Sequence, residues 1–246
     1  MYHSISGDDE RGVRSYFRLT TSPARFQEHL RLLADHGFTA TSLERALDAP
    51  PPGEGRMRNV VLTFDDGYAD FLEHAWPTLE AFSFTASVFL PTAFIGETAR
   101  QTFKGRECLT WPEVRGLSRR GVSFGSHTVS HPALRGLPWP DVRTELRASR
   151  DRIEWELGAP VTTFAYPFAF PTSDRDFVSR FCLELREQGY RANVTTMIGR
   201  LSSGDDLLQV KRLPVNDADD RHLFLAKLAG AYDWVGTLQS AWKYIR

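Results

Sequence analysis

The stretch Asn59–Gly67, N-V-V-L-T-F-D-D-G, constrains this chain more than any other. Its apolar, β-branched run reads as a strand buried on both faces, as in a parallel sheet. The strand ends in two adjacent carboxylates and a glycine. Two acidic groups at the mouth of a buried strand cannot both ionise cheaply, so a divalent cation or a shared proton must offset the cost. A plain strand-ending turn is the ordinary alternative, because Asp and Gly are common turn formers.

The 246 residues have room for one large α/β barrel or two small domains, and 41% hydrophobic residues can fill a substantial core. A net charge of −1 without long charged blocks argues against nucleic acid and anionic membrane as partners. Cys108 and Cys182 are too few for a disulfide framework or a thiolate zinc site. No apolar run approaches a membrane span. Met1-Tyr2-His3-Ser4-Ile5 has no leader character, so the expected location is the cytoplasm, or outside it if a leader has been removed.

Strand and helix signals alternate along the chain, which predicts a parallel sheet in a single domain over residues 1–246. Residues 1–5 read as a short strand, followed by a polar loop to Thr21. Ser22-Pro23 opens a helix carrying Phe26, Leu30 and Leu33 on one face, and Gly37 stops it. A strand at Phe38–Thr41 and a helix at Ser42–Ala49 precede the break Pro50-Pro51-Pro52-Gly53. After the central strand at 59–64 come a helix over 68–81, a strand over 84–90 and a long loop. Thr110-Trp111-Pro112-Glu113 reads as a capping box. Strands are expected at 122–125, 162–166, 190–195 and 208–215, with helices at 140–157 and 174–188. The tail 219–245 reads as a helix burying Trp234, Leu238, Trp242 and Ile245.

The second chemical feature is Ser126-His127-Thr128-Val129-Ser130-His131-Pro132. Two imidazoles four apart can face one cation, although paired surface histidines are common. The segment follows a predicted strand, as Asp65-Asp66 does, and parallel barrels build their sites from the loops after strands. Two histidines and one carboxylate leave a position open for water. The third feature, Phe164-Ala165-Tyr166-Pro167-Phe168, reads by itself as a buried aromatic strand closed by proline.

Taken together, T-F-D-D-G, S-H-T-x-x-H-P and A-Y-P-F resemble the polysaccharide deacetylases of carbohydrate esterase family 4, the NodB homology domain, over residues 25–215. The resemblance implies a distorted (β/α) barrel of seven to eight strands. It implies Asp65 as general base, and Asp66, His127 and His131 as ligands of one divalent metal, zinc first, with cobalt, nickel or ferrous iron as alternatives. The backbone N–H of Phe168 takes the oxyanion-donor role. Ala165 replaces the arginine most members carry, and Arg212 is a candidate substitute, with Lys211 as the other inward possibility. The usual late L-x-H histidine is missing too, and His222 lies in a predicted helix. Tyr2-His3 instead resembles the circularly permuted poly-N-acetylglucosamine deacetylases, whose acid histidine sits on the first strand, which makes His3 the candidate acid.

The implied activity is metal-dependent removal of N-acetyl groups from amino sugars of an exopolysaccharide or glycan precursor. Ester hydrolysis of O-acetyl groups, cyclic amide opening and non-catalytic glycan binding are the alternatives. Trp76, Trp111 and Trp139 are candidates for stacking on sugar rings, with core packing the ordinary role for each.

Overall fold

The structure, a computed structural model, describes residues 1–49 and 58–235. Its elements begin with β1 (Ser4–Ile5), β2 (Thr20–Thr21), α1 (Pro23–Asp35), β3 (Phe38–Thr41), α2 (Leu43–Asp48), β4 (Arg58–Val61) and β5 (Thr63–Phe64). A π-helical turn at Phe71–Ala75 runs into α3 (Trp76–Ala81). Next come β6 (Ser87–Leu90), the hairpin β7 (Thr102–Phe103) and β8 (Arg106–Glu107), α4 (Trp111–Arg119) and β9 (Ser123–Ser126). The remainder is α5 (Trp139–Leu157), β10 (Thr163–Ala165), α6 (Arg175–Glu187), β11 (Ala192–Ile198), β12 (Val210–Arg212) and α7 (Arg221–Leu228).

Six strands form one curled parallel sheet, a half-barrel in the order β12-β11-β10-β9-β6-β5, so the α/β class expected from alternating signals is the one observed. Helix starts follow local chemistry. The Ser22 hydroxyl accepts from Arg25 N at 3.3 Å, with Pro23 in the first turn. At α4 the capping box is complete: Thr110 Oγ1 accepts from Glu113 N, and Glu113 Oε2 accepts from Thr110 N at 2.8 Å. Gly158, at φ +65°, ends α5 in the left-handed conformation that glycine adopts without penalty.

Three differences from the sequence reading have physical causes. The apolar run 59–64 is two strands, because Arg58–Val61 pairs with β3 while Thr63–Phe64 pairs with β6. Pro77 lacks the N–H that would bond the Glu73 carbonyl, and the helix before it widens into a π-turn. The loop before α4 contains the β7–β8 hairpin, whose tip is Lys104-Gly105 with φ +51° and +78°. In the tail, α7 covers Arg221–Leu228 and Trp234 is 61% exposed rather than buried. Leu238, Trp242 and Ile245 lie outside the described residues, as does Pro50-Pro51-Pro52-Gly53. No described helix is long and apolar enough to cross a membrane.

By contacts the chain groups into two compact units. One comprises Met1–Phe89, Phe94–Phe124 and Val215–Leu225; the other comprises Leu90–Ala93, Gly125–Pro214 and the chain from Ala226. In the first, Tyr2 packs edge-on to Phe26 at 5.2 Å and stacks on Phe64 at 5.3 Å, and Phe64 meets Phe71 at 4.9 Å. In the second, Phe164 meets Tyr190 at 5.5 Å and Tyr166 meets Phe181 at 5.2 Å.

The first unit also buries an imidazole. His29 Nε2 donates to Asp219 O at 2.7 Å, since a carbonyl only accepts, which leaves Nδ1 to accept from the Tyr2 hydroxyl at 3.1 Å. Its ring stacks on Phe224 at 4.2 Å. Burial holds the His29 pKa below the ordinary 6.5, against the opposing pull of Asp219. Unfolded His29 therefore takes up its proton at a higher pH than the folded form. Its contribution to stability is full above 6.5 and is lost as pH falls through and below that value. Denaturant titrations from pH 7.5 to 5 should show wild type losing stability faster than His29→Gln, by at most about 1.4 kcal/mol per pH unit. An NMR titration of folded His29 at or above the ordinary value would exclude this.

Candidate active site

Asp65 and Asp66 directly follow β5, and both are buried. The chain turns there through two successive left-handed residues, Asp66 at φ +70° and Gly67 at +61°. Alongside, Tyr2 N donates to Thr63 O at 2.8 Å and Asp65 N donates to Tyr2 O at 3.1 Å. These bonds make a parallel bridge from Tyr2 to Phe64, so the N-terminal segment flanks β5. The expected strand at residues 1–5 is thus a bridge at Tyr2 plus β1, which pairs with β2 in a stretch read from sequence as loop.

Two groups absent from the sequence reading touch Asp66. Its Oδ2 accepts from the Tyr68 hydroxyl at 3.0 Å and lies 3.4 Å from Lys104 Nζ. Burial first, and the Asp66 charge second, push the Tyr68 phenol pKa well up, so Tyr68 stays a protonated donor. Cys108 Sγ sits 3.7 Å from Asp66 O, and burial pushes its pKa up to about 12, which keeps it a thiol rather than a thiolate ligand.

The histidine segment follows β9. His127 Nδ1 lies 2.7 Å from Ala165 O; a carbonyl only accepts, so Nδ1 carries the proton and Nε2 is left as the nitrogen with a lone pair to offer. His131 N donates to Thr128 Oγ1 at 2.9 Å, closing the turn. The two imidazoles meet edge-on at 4.7 Å, and His131 meets the Phe168 ring at 4.6 Å. Phe168 is 52% exposed.

Asp66, His127 and His131, all buried, each offer a ligand atom, and these atoms lie within 4.8 Å of one another. Among the described residues six non-glycines have positive φ, and four of them are Asp66, Thr128, His131 and Phe168. Such conformations cost about 1–3 kcal/mol each and persist where the surroundings over-determine them, commonly at functional sites. Backbone strain thus concentrates on the residues that the three strand-end motifs single out.

The other candidates are distributed as follows. His3 is half-buried beside the Tyr2 bridge, while His222 is exposed on α7. Arg212 is buried and its Nε donates to Thr195 O at 2.9 Å, whereas Lys211 pairs with Asp205 at 3.1 Å, so the arginine is the inward residue of the two. Trp76 and Trp111 are buried core residues and cannot stack on a sugar. Trp139 is half-buried, stacked on Phe177 at 5.3 Å with the Arg180 guanidinium 4.3 Å from its ring centre.

A parallel-sheet protein with acidic and imidazole side chains gathered where its strands end is a familiar class of enzyme scaffold. The family model described as polysaccharide deacetylase matches residues 53–192, and this chain belongs to that family. YxkH of Bacillus subtilis strain 168, which bears the polysaccharide deacetylase name, is 27% identical over 221 residues, covering 88% of this chain and 70% of that protein. The poly-beta-1,6-N-acetyl-D-glucosamine N-deacetylase of Escherichia coli K12 is 31% identical over 137 residues, which is 52% of this chain and only 20% of the other. Among solved structures, the Streptococcus pyogenes deacetylase PplD in complex with acetate superimposes with a TM-score of 0.76 at 26% identity, covering 92% of this chain and 95% of that one.

Proposed function

We propose that this chain is a divalent-metal-dependent hydrolase that removes N-acetyl groups from amino sugars of a polysaccharide or glycan precursor, releasing acetate. The observation that carries the reading is the buried group of Asp66, His127 and His131, with a second carboxylate, Asp65, on the preceding residue. The donor set fits a zinc-like ion: one carboxylate oxygen and two imidazole nitrogens, with His127 Nδ1 oriented by the Ala165 carbonyl. An ion bound there would polarise the acetyl carbonyl and lower the pKa of water at the site.

The remaining chemistry belongs to side chains and backbone. Asp65 accepts a proton from the attacking water. The Phe168 N–H donates to the oxygen that becomes negative as the carbonyl carbon turns tetrahedral, a contribution of about 3 kcal/mol when preorganised. His3 hands a proton to the departing nitrogen, so the sugar leaves as an amine and acetate remains. The E. coli relative's name, with its N-acetylated hexosamine polymer, supports an N-acetyl over an O-acetyl substrate.

Acetate release from N-acetylglucosamine oligomers and acetylated xylan, with and without chelator, tests the reading. Release from the amino-sugar oligomers that chelator removes and Zn²⁺ or Co²⁺ restores is expected. Release from acetylated xylan alone, or release indifferent to chelator, would falsify it. Tyr68→Phe deletes only the hydroxyl on Asp66, and it should weaken metal binding about tenfold or more with thermal stability kept. Unchanged affinity in a chelator-competition titration would remove Tyr68 from the site.

A further inference from the structure

Between the two histidines lie Val129 and Ser130, and both are held by one side chain from α5. Glu145 Oε2 accepts from Val129 N at 2.7 Å and Ser130 N at 3.0 Å, while Oε1 accepts from the Ser130 hydroxyl at 2.6 Å. The other side of the turn is held by backbone: Thr92 N donates to Thr128 O at 3.1 Å and Ala93 N to Val129 O at 2.9 Å. The turn needs such support. Thr128 and His131 sit at φ +70° and +55°, where β-carbons are crowded, and left to itself the segment would relax to commoner angles.

We propose that Glu145 is a positioning residue for the metal ligands. By fixing Val129 and Ser130 it keeps the His127 and His131 imidazoles at the spacing a divalent ion requires. Hydrogen bonds from two successive backbone N–H groups to one carboxylate are strong because the acceptor is charged. The Ser130 hydroxyl adds a third contact that sets the carboxylate plane. Nothing in this assignment asks Glu145 to touch the ion or the substrate. It rests on the metal-dependent reading above.

The test is Co²⁺ and Zn²⁺ binding by the full chain, measured by chelator competition, together with the visible spectrum of the Co²⁺ form. Glu145→Ala should weaken both ions about 10–100-fold and change the Co²⁺ spectrum. Val129 and Ser130 amides should exchange faster, while those of β10 and β11 keep their protection. Glu145→Gln retains a carbonyl oxygen for the two amides and an NH₂ for the Ser130 oxygen, so it should recover much of the loss. This rescue, and the spectral change, separate ligand positioning from simple support of the fold. If Glu145→Ala does not fold, Glu145→Met decides, since it keeps the side chain's length and removes its acceptors; wild-type affinity and unchanged exchange in that variant count against the proposal. Wild-type affinity and spectrum in Glu145→Ala overturn it outright while leaving the metal reading intact. Absence of metal binding by wild type overturns both.

Discussion

Asp65→Asn should retain its bound divalent ion and its fold and lose about 10²–10⁴ of its turnover, the range that a positioned general base contributes. Asn matches Asp in size and shape, so the buried pocket does not have to repack. What it lacks is the capacity to take a proton. Asp65 is well placed to be the residue in which that capacity matters. It is buried, its main chain is anchored by the bond from Asp65 N to Tyr2 O, and it directly precedes the carboxylate that joins the two histidines. Two adjacent carboxylates at one strand end repel one another, and assigning Asp66 to a cation gives the role of base to Asp65. Acetate release and metal content, measured on the same preparation, check the prediction. Near-normal turnover in the variant would place the base elsewhere, and loss of metal would make Asp65 a ligand instead.

Local rules carried much of the fold. Ser22, Ser42, Thr110 and Asp174 cap helices where sequence places them, because a cap depends on residues within one turn. The parallel sheet was legible for a similar reason, since strand and helix periods alternate. What escaped was tertiary. β2 is two residues long and exists because β1 lies beside it, and the run 59–64 divides because its halves find different partners. A tryptophan's burial depends on what packs over it, so Trp76 and Trp111 could not be sorted from Trp139 by pattern alone.

The site divides along the same line. Asp65, Asp66, His127 and His131 stand at strand ends in motifs short enough to read. Tyr68 lies two residues beyond Asp66 and could have been flagged as a neighbouring donor. Lys104 had a weaker signal, a Lys-Gly pair between Phe103 and Arg106 that marks a hairpin tip but says nothing of where the tip lands. Glu145 had none, being one of many charges on an amphipathic helix. The left-handed conformations of Asp66, Thr128, His131 and Phe168 were also invisible, because no glycine marks them.

His3→Ala should lower kcat on an N-acetylated sugar by about 10²–10³ while metal content and thermal stability stay unchanged. The bridge from Tyr2 to Phe64 is parallel, so His3 falls next to Asp65 in the neighbouring segment. Side chains alternate across a pleat. Tyr2 and Phe64 stack on each other within the core, and the next residues, His3 and Asp65, therefore share the opposite face. The pairing register thus sets the candidate acid's residue next to the candidate base's. His222, the alternative, is exposed on α7. The chemistry supplies a control that a structural role would not pass. An amine is a poor leaving group unless protonated, whereas a nitrophenolate departs unaided. His3→Ala should therefore hydrolyse 4-nitrophenyl acetate at close to the wild-type rate while failing on N-acetylglucosamine oligomers. Equal losses on both substrates would mean that His3 supports the site without donating a proton, and no loss on the oligomers would leave the acid to be found elsewhere.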